Sequence, residues 1–395
     1  MSPRTEGALR VIFCLFAILF VGVADSQIVS PLLPAIRTQV GKSSSTVGLL
    51  FTGYSFSAAL SVLAWGPLSD ALGRKVGLLA GLMLFALGSV ATFLSSTFEP
   101  LLLSRILTGM GASMISLNVI SYAADFFPYS NRGWAMGSIM SSYFAALILG
   151  VPIGTWVGDR FGWNAIFGMT AATILLLSLV AYALLPPLGG SRSGHHGKAL
   201  FRNQTRIYAG FLAAGTTRNA LLSAFFASAG TMGFLAYIGI WLHDAFGISS
   251  KQVGLVFLVS GAAALLASPF AGSLSDRIGK RRQFILSNIC LAVFLIFLPG
   301  VTRRIALFGI CGLISMSAAF RQGPMEALLT EVVATGQRGT FVALKNSFSQ
   351  LGIALAALAS GILFEQSGYL AVCLLCAVAN LASAGMIFLV RDKHI

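Results

Sequence analysis

Gly66-Pro67-Leu68-Ser69-Asp70-Ala71-Leu72-Gly73-Arg74-Lys75 returns 206 residues later as Gly272-Ser273-Leu274-Ser275-Asp276-Arg277-Ile278-Gly279-Lys280-Arg281. Each copy holds a glycine, an aspartate, a second glycine and a basic pair at the same spacing. The same offset of 206 carries Arg132-Gly133 onto Arg338-Gly339, Asp125 onto Glu331 and Gly162 onto Gly368. Four landmarks in one register identify a duplicated half-chain.

Composition says which solvent the halves live in. Of 395 residues, 56% are hydrophobic and 10% charged, and the mean hydropathy is +0.86. Soluble domains carry about 25% charged residues, so lipid must cover most of this surface. Apolar segments fall near 10–38, 46–71, 75–95, 100–127, 133–158 and 163–186, then near 219–245, 250–275, 283–300, 304–332, 338–364 and 369–390. A crossing helix needs roughly 20 residues, and in lipid the backbone must bond within its own segment. The expected fold is therefore an all-α membrane protein. Twelve transmembrane helices form two pseudo-symmetric six-helix bundles, 1–186 and 219–395, joined by a cytoplasmic linker, 187–218. A duplicated half inside a membrane is the build of a transporter. The linker is basic and is expected to hold a short amphipathic helix on the membrane surface. Its His195-His196 reads as an exposed pair, not a metal site.

The net charge of +14 does not call for nucleic acid, because basic residues of membrane proteins collect at the cytoplasmic ends of helices. With the N-terminus inside, seventeen basic residues lie on the cytoplasmic side and six outside. Both termini and the linker are therefore expected to be cytoplasmic. Arg4, Arg10 and the apolar run Val11–Val23 imitate a cleavable leader, but removing it would take a helix from one repeat only. Cys373 and Cys376 have metal-like spacing without a second pair, and packing is the simpler role. No metal is expected.

Five charged residues remain inside helices: Asp25, Arg105, Arg321, Glu326 and Lys345. Each costs roughly 3 kcal/mol even on the lenient insertion scale, so they are the functional candidates. At ~1.5 Å per residue, Asp25 lies ~22 Å above the cytoplasmic face and Arg105 ~8 Å below the outer one, which is one level in a ~30 Å core. Burial favours the neutral acid and a guanidinium favours the ion, so small changes in access can tip the balance. That suits a proton carrier; a static structural pair is the alternative. Glu326 and Lys345 are also level and read equally as a gate or as glue between helices. Glu326 is further a candidate second proton site. Arg321 has no acid at its level, which points to a cavity for an anionic group, or to satisfaction by carbonyls or water. Tyr54, Tyr122, Tyr143 and Tyr237 are candidate aromatic walls.

The duplicated decapeptide resembles motif A of the major facilitator superfamily. Asp25-Ser26-Gln27-Ile28-Val29-Ser30-Pro31-Leu32-Leu33-Pro34 is similar to the first-helix motif of its proton-driven drug antiporters, and Leu103–Ala112, with Arg105, resembles motif B. Gly150-Val151-Pro152-Ile153-Gly154 resembles motif C, which marks the antiporter branch, but Val151 separates a normally adjacent pair and Thr155 replaces the second glycine. The resemblance implies a cavity built from segments 1, 4, 7 and 10. It also implies a cytoplasmic gate of Gly66, Asp70, Gly73, Arg74, Asp125, Arg132, Asp276, Gly279, Glu331 and Arg338. There Asp70 meets the eleventh segment near Arg338, and Asp276 meets the fifth near Arg132. Gly150, Pro152 and Gly154 let the fifth segment pack closely yet bend.

No phosphate loop, dinucleotide fingerprint or credible hydrolytic triad is present, so neither ATP drive nor an enzyme is expected. The reading is a proton-coupled exporter of a small organic or amphipathic molecule, with Asp25 as proton carrier and Arg105 as its counter-charge. Arg321 and Lys345 face the cargo, and the proton gradient serves in place of a cofactor. It is expected as a monomer in a bacterial inner membrane. An uptake symporter or facilitator, a lipid or lysolipid carrier, and a sensor that kept the fold are the rivals.

Overall fold

Glycine and serine punctuate the helices. In the computed structural model, which describes residues 3–188, 197–334 and 337–390, the helices are α1 (Pro3–Val40), α2 (Ser44–Leu72), α3 (Arg74–Leu94), α4 (Phe98–Phe126), α5 (Asn131–Phe161), α6 (Ala165–Leu184), α7 (Gly197–Ala213), α8 (Gly215–Phe246), α9 (Ser250–Ile278), α10 (Lys280–Phe297) and α11 (Arg304–Glu331). The stretch Arg338–Phe388 is bent at Gly368, where φ is 75° and ψ −174°. Its arms are α12 (338–367) and α13 (369–388). All but α7 cross the membrane, and no strand occurs among the described residues.

The repeat is written in the backbone as well as in the side chains. Positive φ occurs among the described residues only at Gly41 (62°) and Gly247 (60°), Gly73 (94°) and Gly279 (88°), and Gly162 (90°) and Gly368 (75°). Each pair is 206 apart. A side chain there would cost roughly 1–2 kcal/mol, which is why both copies of each corner kept glycine. Ser43 and Ser249, again 206 apart, cap α2 and α9 by accepting from Thr46 N–H and Gln252 N–H. In the duplicated loops, the amides of Gly73 and Gly279 donate to Ser69 O and Ser275 O, both at 3.0 Å.

The halves meet along α1–α8, α2–α12 and α5–α9, and the meeting is tightest at the end opposite the duplicated loops. There a Cβ on Gly239 (α8) would fall 2.0 Å from Ser30 O (α1), and one on Gly254 (α9) 2.2 Å from Thr155 Oγ1 (α5). Tyr237 of α8 lies between Gly48 of α2 and Gly361 of α12 and donates to Ala357 O.

Among the described residues, charged side chains tie the halves together in two places at this far end. Arg37 of α1 meets Asp244 of α8 through two bonds, at 2.9 and 2.8 Å. Glu365 of α12 accepts from the amide and hydroxyl of Ser45, both at 2.8 Å, in the first turn of α2. A carboxylate at a helix N-terminus gains from the amide dipoles. Both ties are exposed, so each is worth about 0.3–1 kcal/mol. Arg37→Ala and Glu365→Gln should each speed maleimide labelling of a Val47→Cys reporter, made in a Cys290→Ser background, by roughly two- to fivefold. Val47 is fully buried, so labelling reports opening of this end. Unchanged rates would remove the ties from any gating role.

At the loop end the halves stand apart along α5 and α9: a Cβ on Gly133, Gly137 or Gly272 would touch nothing within 4 Å. Helices α2 and α12 stay together further down, where Ser347 Oγ donates to Ala59 O at 2.9 Å. The expected contact of Asp276 with α5 near Arg132 is not made. Asp276 is exposed, and Arg132 donates instead to Phe127 O in its own half, twice at 3.4 Å. A gate that holds this end shut cannot be engaged while the far end is closed. Arg74 bonds Asp125 at 3.0 Å and Ser69 at 3.3 Å, within one half. Gly66 faces open space and Arg338 is exposed. The side chains of Asp70 and Glu331, and all of His195-His196, lie outside the described residues.

Candidate functional site

Helix α5 lies on α1 through three glycines one turn apart. A Cβ on Gly150, Gly154 or Gly158 would come within 2.7 or 2.8 Å of Ala24, Ile28 or Leu32 respectively. Small residues at this spacing let two membrane helices close up, and here they seal the flank of Asp25. Just before Pro152, α5 widens into a π turn, Ala146–Gly150, in which Val151 N–H donates to Ala146 O five residues back. Proline has no N–H to offer, and a π turn holds one extra residue. The Val151 that interrupts the motif is thus absorbed in the backbone.

The structure brings Asp25 of α1 and Arg105 of α4 together. Arg105 Nη1 donates to Asp25 Oδ2 at 2.9 Å, and both residues are only 2% exposed. The Tyr54 and Phe167 rings lie 4.9 and 5.5 Å from the guanidinium carbon and add cation–π attraction. Yet the pair is joined by one bond only. Asp25 Oδ1 and Arg105 Nε are buried without partners. A buried pair repays its desolvation only when the remaining donors and acceptors are also met, so this one is held below its best.

Arg105 borders a cavity of about 280 Å³, near the small end of the roughly 300–1,000 Å³ range for ligand pockets. Helices α1, α2, α4 and α5 of one half and α8 and α12 of the other build its wall. Among the described residues Arg105 is the only charged one in that wall; Asp25 sits behind it. Tyr54 and Tyr143 do face the cavity, but four expected wall residues do not. Tyr122 is fully buried in its own bundle, its hydroxyl donating to Pro186 O at 2.8 Å. Tyr237 is the seal between halves described above. Lys345 is 5% exposed and held by Glu326 at 2.7 and 2.8 Å. Arg321 is 5% exposed and donates to Asn288, Asn380 and Thr231 at 3.3, 2.8 and 2.7 Å. Neutral side chains from α10, α13 and α8, rather than a cargo anion or backbone carbonyls, accept from its Nη atoms, while its Nε is buried without a partner. With Arg321 turned into its own bundle, α11, the tenth crossing helix, contributes nothing to this wall.

Thr231 stands 206 residues after Asp25. Each half thus aims an arginine from its fourth crossing helix at the same place on its first, but only one half has an acid there. Sequence reasoning missed Gln27 and Gln350 in the cavity wall, as well as the ties of Arg37 and Glu365. Opposite charges at the far ends of α1 and α8, 207 residues apart and so one residue off the repeat register, were the available signal for Arg37 and Asp244. No comparable signal marked the glutamines.

The sequence profile of the Major Facilitator Superfamily matches residues 15–221 and again 220–394. The chain belongs to the major facilitator superfamily. The uncharacterized MFS-type transporter YwfA of Bacillus subtilis is 26% identical, covering 91% of this chain and 86% of its own. The multidrug resistance protein MdtG of Klebsiella pneumoniae is 23% identical over 92% and 89%. A crystal structure of a D-xylose-proton symporter superposes with a TM-score of 0.80 at 15% identity and covers 98% of both chains, a likeness of fold. As a superfamily member the chain is an integral membrane transporter. Its twelve helices form the two bundles of that fold, and small molecules are its cargo class.

Proposed function

We propose that this transporter exports a small organic or amphipathic molecule in exchange for protons by alternating access, from a bacterial inner membrane. The bundles divide at the linker 187–218, and the duplicated loops, the linker and both termini face the cytoplasm. Asp25 carries the proton, and Arg105 holds it as an ion when the site is empty of protons. The observation that carries this reading is the buried, singly bonded Asp25–Arg105 pair at the wall of a central cavity, with Asp25 Oδ1 free to take a proton. Such charges inside a membrane mark ion and proton pathways. The first-helix motif from Asp25 to Pro34, the resemblance of Gly150–Gly154 to motif C and the likeness to a multidrug resistance protein support export.

The test uses everted vesicles with a respiration-generated pH gradient read by acridine orange. Adding a cargo should dissipate the gradient in vesicles that carry this chain and not in vesicles without it. Cargo movement with no proton movement would sink the proton coupling. Cargo moving in the same direction as protons would make the protein a symporter.

A further inference from the structure

Two carboxamides face the central cavity from opposite halves: Gln27 on α1 and Gln350 on α12. Neither bonds any protein group among the described residues, and both are part-buried. Four neighbouring hydroxyls are already engaged. Ser26 and Ser113 donate to the carbonyls of Val23 and Met110 at 2.8 and 2.9 Å, Ser30 donates to Leu235 O, and Tyr143 bonds Ser116. Each carboxamide offers two N–H donors and one acceptor oxygen. A cargo that fills the cavity strips water from them, and an unpaired desolvated amide costs about 1–3 kcal/mol. The cargo must therefore meet them with donors and acceptors of its own. The charge lining the cavity has one sign. Arg105 reaches it only at an edge, 2% exposed and paired to the Asp25 carboxylate behind it, so an organic cation finds no accessible counter-charge in the wall. The rest of the wall is largely apolar, including Phe51, Met232 and Ile353, with the hydroxyls of Tyr54 and Ser55 among it.

We infer that Gln27 and Gln350 determine specificity, holding an uncharged amide, carbonyl or hydroxyl group of the cargo from both halves at once. The cavity thus selects neutral amphiphiles over organic cations of the same size. This rests on reading the cavity as the cargo site. Because the two glutamines belong to different bundles, a cargo bonded to both ties the bundles together as it binds.

The purified full chain in detergent, with no ion gradient, is titrated with three probes that share a benzyl group. They are N-benzylacetamide (neutral), benzyltrimethylammonium (cation) and phenylacetate (anion). Binding is read by ligand-observed NMR against detergent blanks. N-benzylacetamide should bind at least tenfold more tightly than benzyltrimethylammonium. Gln27→Leu and Gln350→Leu should each weaken it about five- to tenfold with little change for the cation. Gln27→Asn and Gln350→Asn keep the amide one methylene short and should also weaken it, which keeps the test open if a leucine variant fails to fold. Cation or anion binding as tight as that of the amide would overturn the inference. So would amide affinity within twofold of wild type in folded variants, or no binding by any probe. Equilibrium binding needs no gradient. Intact amide selectivity beside failed proton exchange would therefore sink the coupling alone.

Discussion

Asp25→Asn is expected to abolish uphill transport while leaving a folded protein that still equilibrates cargo. Asparagine fills the same volume and can still accept from Arg105 Nη1, now at 2.9 Å from Asp25 Oδ2, but it cannot exchange a proton. One pH unit is worth about 1.36 kcal/mol per proton. A one-to-one exchanger therefore sustains up to about a tenfold cargo gradient per unit, and the variant sustains none. Removing one partner of a buried pair usually costs about 3–5 kcal/mol. Here the loss should fall toward the low end, because Arg105 keeps a neutral acceptor and the faces of Tyr54 and Phe167. Arg105→Met should be more damaging to stability, since it strands the acid in a dry site. The double variant Asp25→Asn/Arg105→Met should melt higher than Arg105→Met alone. Counterflow, which needs no gradient, should survive in Asp25→Asn. Retention of a pH-dependent cargo gradient by that variant would remove Asp25 from the coupling.

Gly239→Trp should lock the far end open. Any side chain at 239 begins with a Cβ 2.0 Å from the backbone oxygen of Ser30. A backbone atom cannot swing aside, so α8 must leave α1. Overpacking costs about 1–3 kcal/mol or more, and an indole at a contact this tight lies at the upper end. Labelling of the Val47→Cys reporter should rise at least about tenfold, and transport should stop because the cycle cannot pass through the closed state. The fold should persist, since Gly239 packs against the other half and not inside its own bundle. Gly352→Trp is the matched control. Its Cβ would lie 2.2 Å from Phe225 O, a contact of α12 with α8 inside one bundle, so it should unfold the protein instead of trapping it. If Gly239→Trp transports normally, or unfolds as the control does, the contact is not a moving seam.

The architecture was legible because lipid leaves few choices. Segment length and the 206 register specify twelve helices and two halves, and the positive-φ corners at Gly73, Gly279, Gly162 and Gly368 stand where the register puts them. The Asp25–Arg105 level was legible too, because helical rise converts residue counts into depth. The surroundings of Arg321 were not. Asn288, Asn380 and Thr231 come from three helices, and neutral residues leave no trace in a count of charges. Gln27 and Gln350 escaped for the same reason, and a tyrosine count cannot separate a seal such as Tyr237 from a wall such as Tyr54. Which end is shut could not be read at all. Two conformers of one sequence differ by a few kcal/mol spread over contacts such as Arg37–Asp244.

Thr231 occupies the seat that Asp25 holds in the other half, and it still receives an arginine, Arg321 Nη2, at 2.7 Å. A hydroxyl accepts that bond but does not titrate near neutral pH. On the proton-exchange reading the doubled chain is therefore a ratchet with one tooth at this depth: the ancestral symmetry survives as mechanical frame, while the chemical step has become the property of a single side.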